Sequence, residues 1–233
     1  MKFQLVNNHL ILKVDTDLGE KTCVYDTGSP LSFFFDKVHK YFLDGMAFYA
    51  RNNPVMSAFM NFQCELEDLV GMKIDGVIGT DCISDGSVLI DFPSLRLDVN
   101  PLGINSSCSI PMKNQAGLPV FKIKVNGIDL TAAFDSGAMF SLASSSMVDE
   151  LNLIPQNKTF DDYNPLFGHF TGTLSKGIIE VGDTKLGLRN IATGSVYDRA
   201  MSLCGLNAFI GVDSLMESTI WISYIDNLVK ITV

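Results

Sequence analysis

The chain is written twice. Val24-Tyr25-Asp26-Thr27-Gly28-Ser29 returns 109 residues later as Ala133-Phe134-Asp135-Ser136-Gly137-Ala138, and Asp75-Gly76-Val77-Ile78-Gly79-Thr80-Asp81 returns 132 residues later as Asn207-Ala208-Phe209-Ile210-Gly211-Val212-Asp213. The order is kept. A third pair follows each second box at the same distance, Ile90-Asp91-Phe92 and Ile222-Ser223-Tyr224, and a fourth precedes each acid by 14 residues, Leu12-Lys13-Val14 and Phe121-Lys122-Ile123. A tandem duplication of this kind forces any fold to be two similar units, or one structure with two related halves. The halves differ mainly between the first two boxes, where the second carries 23 more residues.

Within each half the local patterns predict strands. Leu10 to Val14 and Val120 to Val125 are short apolar, β-branched runs, followed by the turn signals Asp17-Leu18-Gly19 and Asn126-Gly127. A second strand then runs into the acid box, so each half opens with a hairpin that delivers its Asp at a strand end, with Gly28 and Gly137 where the chain must turn. Helical signal is sparse. Ser144 to Leu153 is the best stretch, Asp81 to Ser84 and Asp213 to Met216 could each start one turn, and Asn100 to Met112 reads as the linker between a unit 1–104 and a unit 105–233.

Composition narrows the function classes. With 233 residues, 47% of them hydrophobic, the chain can bury a sizeable core. A net charge of -9 repels polyanions, so nucleic acid is not the expected partner. No apolar run approaches the roughly 18 residues that cross a bilayer, and neither a signal peptide nor a membrane anchor is read. Five widely spaced cysteines without a CxxC argue against a disulfide framework or zinc ribbon and point to a reducing, cytoplasmic setting.

One Asp-[Ser/Thr]-Gly tripeptide says little, since about one chain in ten of this length holds one by chance. Two in register, each led by an aromatic residue and followed by an apolar-apolar-Gly box, say much more. On these residues the chain resembles the aspartic proteases of the retropepsin and pepsin kind, as a single-chain, tandem-duplicated form, over nearly all of both halves. The resemblance implies an all-β fold of two retropepsin-like β-barrel lobes, related by a pseudo-two-fold axis and joined by an inter-lobe sheet. Lys2 to Val6, Leu95 to Val99 and Leu228 to Val233 suit that sheet. It implies Asp26 and Asp135 as the catalytic pair, with Val77-Ile78-Gly79 and Phe209-Ile210-Gly211 packing beneath the loops. The partner is a peptide or protein substrate, the chain is expected to be a monomer, and no cofactor or metal is called for.

Two carboxyls within hydrogen-bond distance cannot both ionise, so one acid and one base sit side by side. The split pair of the aspartic proteases is a known case. Thr27 and Ser136 are implied to cross the interface and lock the loops. Ser29 and Ala138, one past each glycine, differ: a Ser29 hydroxyl donated to the carboxylate would make Asp26 the more readily charged member, with an activity optimum between strongly acidic and neutral. The resemblance places a flap over Phe167-Gly168-His169-Phe170, within Pro165 to Gly172. The first-half counterpart, about Leu43 to Met60 with a turn at Asn52-Asn53-Pro54, is shorter.

The chain also departs from the family pattern. Thr80 and Val212 stand where retroviral enzymes carry a basic residue, so that ion pair is expected to be absent or replaced. Asp26 comes too soon after Met1 for the inhibitory prosegment of a secreted zymogen, which implies a mature intracellular enzyme or a shortened chain. Other residues have plainer readings. His9, His39 and His169 lack ligand spacing, Cys23 and Cys82 read as small buried hydrophobes, and Phe33-Phe34-Phe35 reads as core or cleft lining. Both acids could instead be structural turn residues, and the pair of halves could be a catalytically silent peptide- or protein-binding module. Actin-like nucleotide binding needs a longer chain with parallel β-α repeats.

Overall fold

A computed structural model describes residues 1–50, 61–106, 108–164 and 168–233. It is mostly β. The first half opens with β1 (Phe3–Val6), β2 (His9–Thr16) and β3 (Gly19–Tyr25), followed by β4 (Phe33–Phe34), β5 (Lys40–Leu43), β6 (Met46–Tyr49), helix α1 (Phe62–Val70) and β7 (Gly76–Ile78). These strands form one sheet in the order β4-β7-β3-β2-β5-β6, with β1 paired on β2. The β2–β3 hairpin turns at Gly19, whose φ of 93° lies where a side chain is disfavoured.

The remaining strands are β8 (Ser87–Asp91), β9 (Arg96–Val99), β10 (Ser109–Gln115), β11 (Leu118–Val125), β12 (Ile128–Phe134), β13 (Ser141–Ala143), β14 (Ile154–Asn164), β15 (Gly168–Val181), β16 (Thr184–Thr193), β17 (Ala208–Ile210), β18 (Thr219–Ser223) and β19 (Leu228–Thr232). Helix α2 (Val148–Leu151) precedes β14, and α3 (Ser195–Cys204) precedes β17. The described strands join in a second sheet, β14-β15-β16-β13-β17-β12-β11-β10-β19-β18-β8-β9.

The duplication is visible in the pairing. In the first half β3 runs parallel to β7, with Tyr25 opposite Ile78; in the second, β12 runs parallel to β17, with Phe134 opposite Ile210. The halves also share strands: β8 pairs antiparallel with β18, from Thr219 opposite Asp91 to Ser223 opposite Ser87. Tyr25, Ile78, Ile90, Phe134, Ile210 and Ile222 are buried in one continuous core spanning both halves. Each such side chain contributes about 1.5–3 kcal/mol by leaving water.

Several expectations need correcting. Lys2 to Val6 joins the strands that bridge the halves only at its start: β1 pairs with β2, and an isolated bridge between Lys2 and Arg96, closed by Phe3 N–H to the Leu95 carbonyl and Leu97 N–H to the Met1 carbonyl, attaches it to the β9 edge. The linker is shorter than Asn100 to Met112, because β10 already begins at Ser109 and pairs with β19. The longest helices are α1 and α3, which the strand-dominated reading overlooked. Each lays an apolar face inward, Phe62, Leu66 and Val70 in α1 and Tyr197 and Met201 in α3, and each ends on a left-handed glycine, Gly71 or Gly205.

Candidate functional site

The parallel pairing continues one residue past each strand and fixes the two acids. The Asp26 N–H donates to the Ile78 carbonyl at 2.9 Å, and the Asp135 N–H to the Ile210 carbonyl at 3.0 Å. Each loop then ties back to its second box, Thr80 N–H to the Ser29 carbonyl at 2.9 Å and Val212 N–H to the Ala138 carbonyl at 3.0 Å. Glycine is required beneath. A β-carbon on Gly79 would lie 2.6 Å from the Leu31 and Ser29 carbonyl oxygens, and one on Gly211 would collide with the Phe140 carbonyl. Val77, Ile78, Phe209 and Ile210 are buried beside them.

Between the loops runs a reciprocal set of four hydrogen bonds. Thr27 N–H donates to Ser136 Oγ at 2.9 Å, and Ser136 N–H to Thr27 Oγ1 at 3.0 Å. The hydroxyls donate onward, Thr27 to the Phe134 carbonyl and Ser136 to the Tyr25 carbonyl, each at 2.9 Å. Both side chains are fully buried. Each bond is worth about 0.5–1.5 kcal/mol net, and more is lost when one partner is removed and the other stays dry.

This lock brings the carboxyls together. A side-chain hydrogen bond couples Asp26 and Asp135, and both residues are half-buried, sunk between the loops yet still reached by solvent. Gly28 N–H holds Asp26 Oδ1 at 2.8 Å, and Gly137 N–H holds Asp135 Oδ1 at 2.9 Å. Burial pushes the Asp135 carboxyl well above the usual range, and the Asp26 charge beside it pushes further. Burial also raises Asp26, opposed by its bond to Asp135, the N–H groups of Gly28 and Ser29, and the nearby His9. The pair therefore titrates as one unit and holds one proton over a wide range.

The Ser29 hydroxyl does not donate to the Asp26 carboxyl, as the sequence suggested it would. That hydroxyl donates to the Leu31 carbonyl at 2.9 Å, satisfied within its own turn. Backbone donors serve both acids alike. The surroundings of the two acids differ at His9, whose charge acts on Asp26; the residue 109 positions on is Leu118.

In place of a basic residue after the second box, a serine and an acid brace each half. Ser32 Oγ donates to Asp81 Oδ1 at 2.6 Å and accepts the Gly79 N–H at 3.0 Å. In the second half Ser141 N–H donates to Asp213 Oδ1 at 3.2 Å, and Ser141 Oγ accepts the Gly211 N–H at 3.1 Å. Sequence reasoning missed both serines, although each stands six residues after its acid.

The residues expected to form a flap fall in and around the β14–β15 hairpin. Its strands pair from Ile154 opposite Lys176 to Asn164 opposite Gly168. Phe167 and the 165–167 tip lie outside the described residues, as does the Asn52-Asn53-Pro54 turn of the first half. Near the tip, His169 Nε2 stands 2.6 Å from Glu65 Oε2 on α1, and Tyr163 stacks on Phe62 at 6.0 Å between centroids. Phe170 meets Tyr197 edge-on at 4.6 Å. The hairpin of the second half is thereby fastened to the helix of the first.

Among the described residues no group of three or more His, Cys, Asp or Glu is placed to hold a metal ion, and no helix is long and apolar enough to cross a membrane. Burial pushes the Cys23 and Cys82 thiols far up, which keeps them protonated and unreactive. Compared with known families and curated proteins, the chain matches no family model and no curated sequence.

Proposed function

We propose that the chain is an aspartic endopeptidase that hydrolyses peptide bonds with a water activated between Asp26 and Asp135. The observation that carries this reading is the half-buried, coupled acid pair held by the Thr27–Ser136 lock. Two acids raised by burial and coupled to one another supply a base and an acid at a single point. Asp26, the more readily ionised, draws a proton from the water as its oxygen attacks the scissile carbonyl carbon. Asp135 gives its proton to the carbonyl oxygen, so a neutral tetrahedral diol forms with no covalent bond to the protein. Collapse of that diol breaks the C–N bond. Asp26 returns its proton to the departing amine nitrogen while Asp135 takes one back from a diol hydroxyl, which restores the starting charges.

On the same proposal residues 1–104 and 105–233 are two retropepsin-like lobes about a pseudo-two-fold axis, with the strands shared between the halves beneath them. The β14–β15 hairpin closes over an extended peptide, whose backbone pairs with the hairpin while apolar side chains meet Phe140, Phe160 and Phe170. Digestion of a proteome-derived peptide library from strongly acidic to neutral pH tests it. Cleavage by the wild type, lost in Asp135→Asn, supports the enzyme; peptide binding with no turnover at any pH would make the chain a silent binding module instead.

A further inference from the structure

His9 stands out among the groups this chemistry does not use. It is 1% exposed, and among the described residues neither ring nitrogen makes a well-formed hydrogen bond, although the backbone of Asn7 and Val6 lies close by. A polar side chain so placed costs stability unless something answers it. Its position is fixed from both sides. The preceding Asn7 and Asn8 take left-handed φ values of 46° and 58°, Asn7 Nδ2 donates to the Leu69 and Val70 carbonyls at the end of α1, and Asn8 Nδ2 reaches across to the Met139 carbonyl at 3.3 Å. The imidazole is thereby held where the two halves meet.

Two carboxyls act on it electrostatically. Asp26, from the loop after β3, and Asp162, from β14 of the hairpin, both lie within Coulombic range, Asp162 the stronger. Asp162 is itself pinned: Oδ1 accepts the Tyr163 N–H at 2.8 Å and Oδ2 accepts the Tyr197 hydroxyl at 2.6 Å. Tyr197 in turn lies within range of Asp135. The polar groups thus run in order Asp26, His9, Asp162, Tyr197, Asp135, from one acid of the pair, by way of the hairpin, and back to the other. Glu65 and His169 form a separate pair near the hairpin tip.

We propose that His9 is a positioning residue for the acid pair and its flap, linking the Asp26 end of the pair to Asp162 beneath the β14–β15 hairpin. The inference rests on the endopeptidase reading and adds a group that reading does not require. Protonated, the imidazole attracts both carboxylates, which draws the hairpin down and favours the anion on Asp26 rather than Asp135. Neutral, it releases the hairpin. The repeat is consistent with a specific role, because the second half has apolar Leu118 at the same place.

The test is a proton NMR titration of the three histidines in the full chain, with His9→Leu used to assign the His9 signal. Burial holds His9 below the ordinary imidazole range, opposed by Asp162, then the Asn7 backbone, Asp26 and the Val6 backbone. Asp162→Asn is expected to lower its midpoint further, by about half a unit or more, and Asp26→Asn by less. A midpoint unmoved by Asp162→Asn would overturn the inference. In kinetics, His9→Leu is expected to move the acid limb of kcat/KM to higher pH without lowering the thermal midpoint, and His9→Gln, which keeps a hydrogen-bonding group but no charge, to behave the same way. A uniform loss at all pH values, together with a lower thermal midpoint, would mark a merely structural histidine and overturn the proposal. The two readings fail separately: no cleavage at any pH sinks the endopeptidase while the titration still decides the link, and cleavage with uncoupled titrations sinks the link alone.

Discussion

Gly28 backs directly onto the Asp135 carboxyl. A β-carbon on Gly28 would lie 2.7 Å from Asp135 Oδ2, and one on Gly137 would lie 2.6 Å from Asp26 Oδ1. Each acid is thus seated against the bare backbone of the opposite loop, and the approach of the carboxyls depends on both glycines. Gly28→Ala or Gly137→Ala is expected to cost about 1–3 kcal/mol by overpacking and to force the acids apart. Urea denaturation measures the cost, and carbon-13 NMR of the Asp carboxyls should show their titrations less widely split.

Thr27→Val and Ser136→Ala each remove a hydroxyl from the reciprocal lock and strand buried backbone partners. Each is expected to destabilise by about 1–3 kcal/mol. Because the residues share partners, the double variant should cost less than the sum of the singles. Additive losses in a denaturation cycle would show that the two hydroxyls do not act as one unit.

Asp213 makes a pH prediction with a definite sign. Burial raises its carboxyl from 3.8 to about 6, against the opposing hydrogen bonds of Asn190, Ser141 and Ser214. A folded value above the unfolded one means that the native state binds the proton more tightly. The stability this gives is fully present below about 3.8 and is lost as pH rises through about 6. Asp213→Asn should remove that part of the slope, so unfolding midpoints of variant and wild type, compared between pH 4 and 6, should change differently with pH. Parallel profiles would contradict the assignment.

The Glu65–His169 contact joins a side chain 24% exposed to one 67% exposed, and exposed pairs add little to global stability. Its expected effect is local. Glu65→Gln should leave the unfolding midpoint nearly unchanged while amide hydrogen exchange in β14 and β15 speeds up several-fold. Tyr163→Ala, which removes the stack on Phe62, should act in the same direction.

What the sequence revealed was what the duplication repeats. The hairpins ending at Asp26 and Asp135, the parallel strands at Val77-Ile78-Gly79 and Phe209-Ile210-Gly211, and the short turns after them follow from two aligned copies. What it hid falls outside the shared pattern. Helix α1 begins at Asn61 without a side-chain cap, so only the four-residue spacing of Phe62, Leu66 and Val70, closed by Gly71, marked it. Ser32 and Ser141 were legible in principle, since they repeat in register, but a lone serine carries no local signal. His9 was visible only as a departure, a polar residue where the other copy has Leu118. The Ser29 hydroxyl was misread because a serine in a tight turn can satisfy itself on a nearby carbonyl, and only geometry decides which acceptor it takes.

The central claim is that Asp26 and Asp135 act as one chemical unit. The most direct measurement compares peptide cleavage by Asp26→Asn, Asp135→Asn and the double variant with that of the wild type, each shown to be folded. Each single substitution is expected to abolish turnover by about 10³-fold or more, with the double no worse than either single. A folded wild type that cleaves nothing from acid to neutral pH, or a single variant that keeps its activity, would contradict the account.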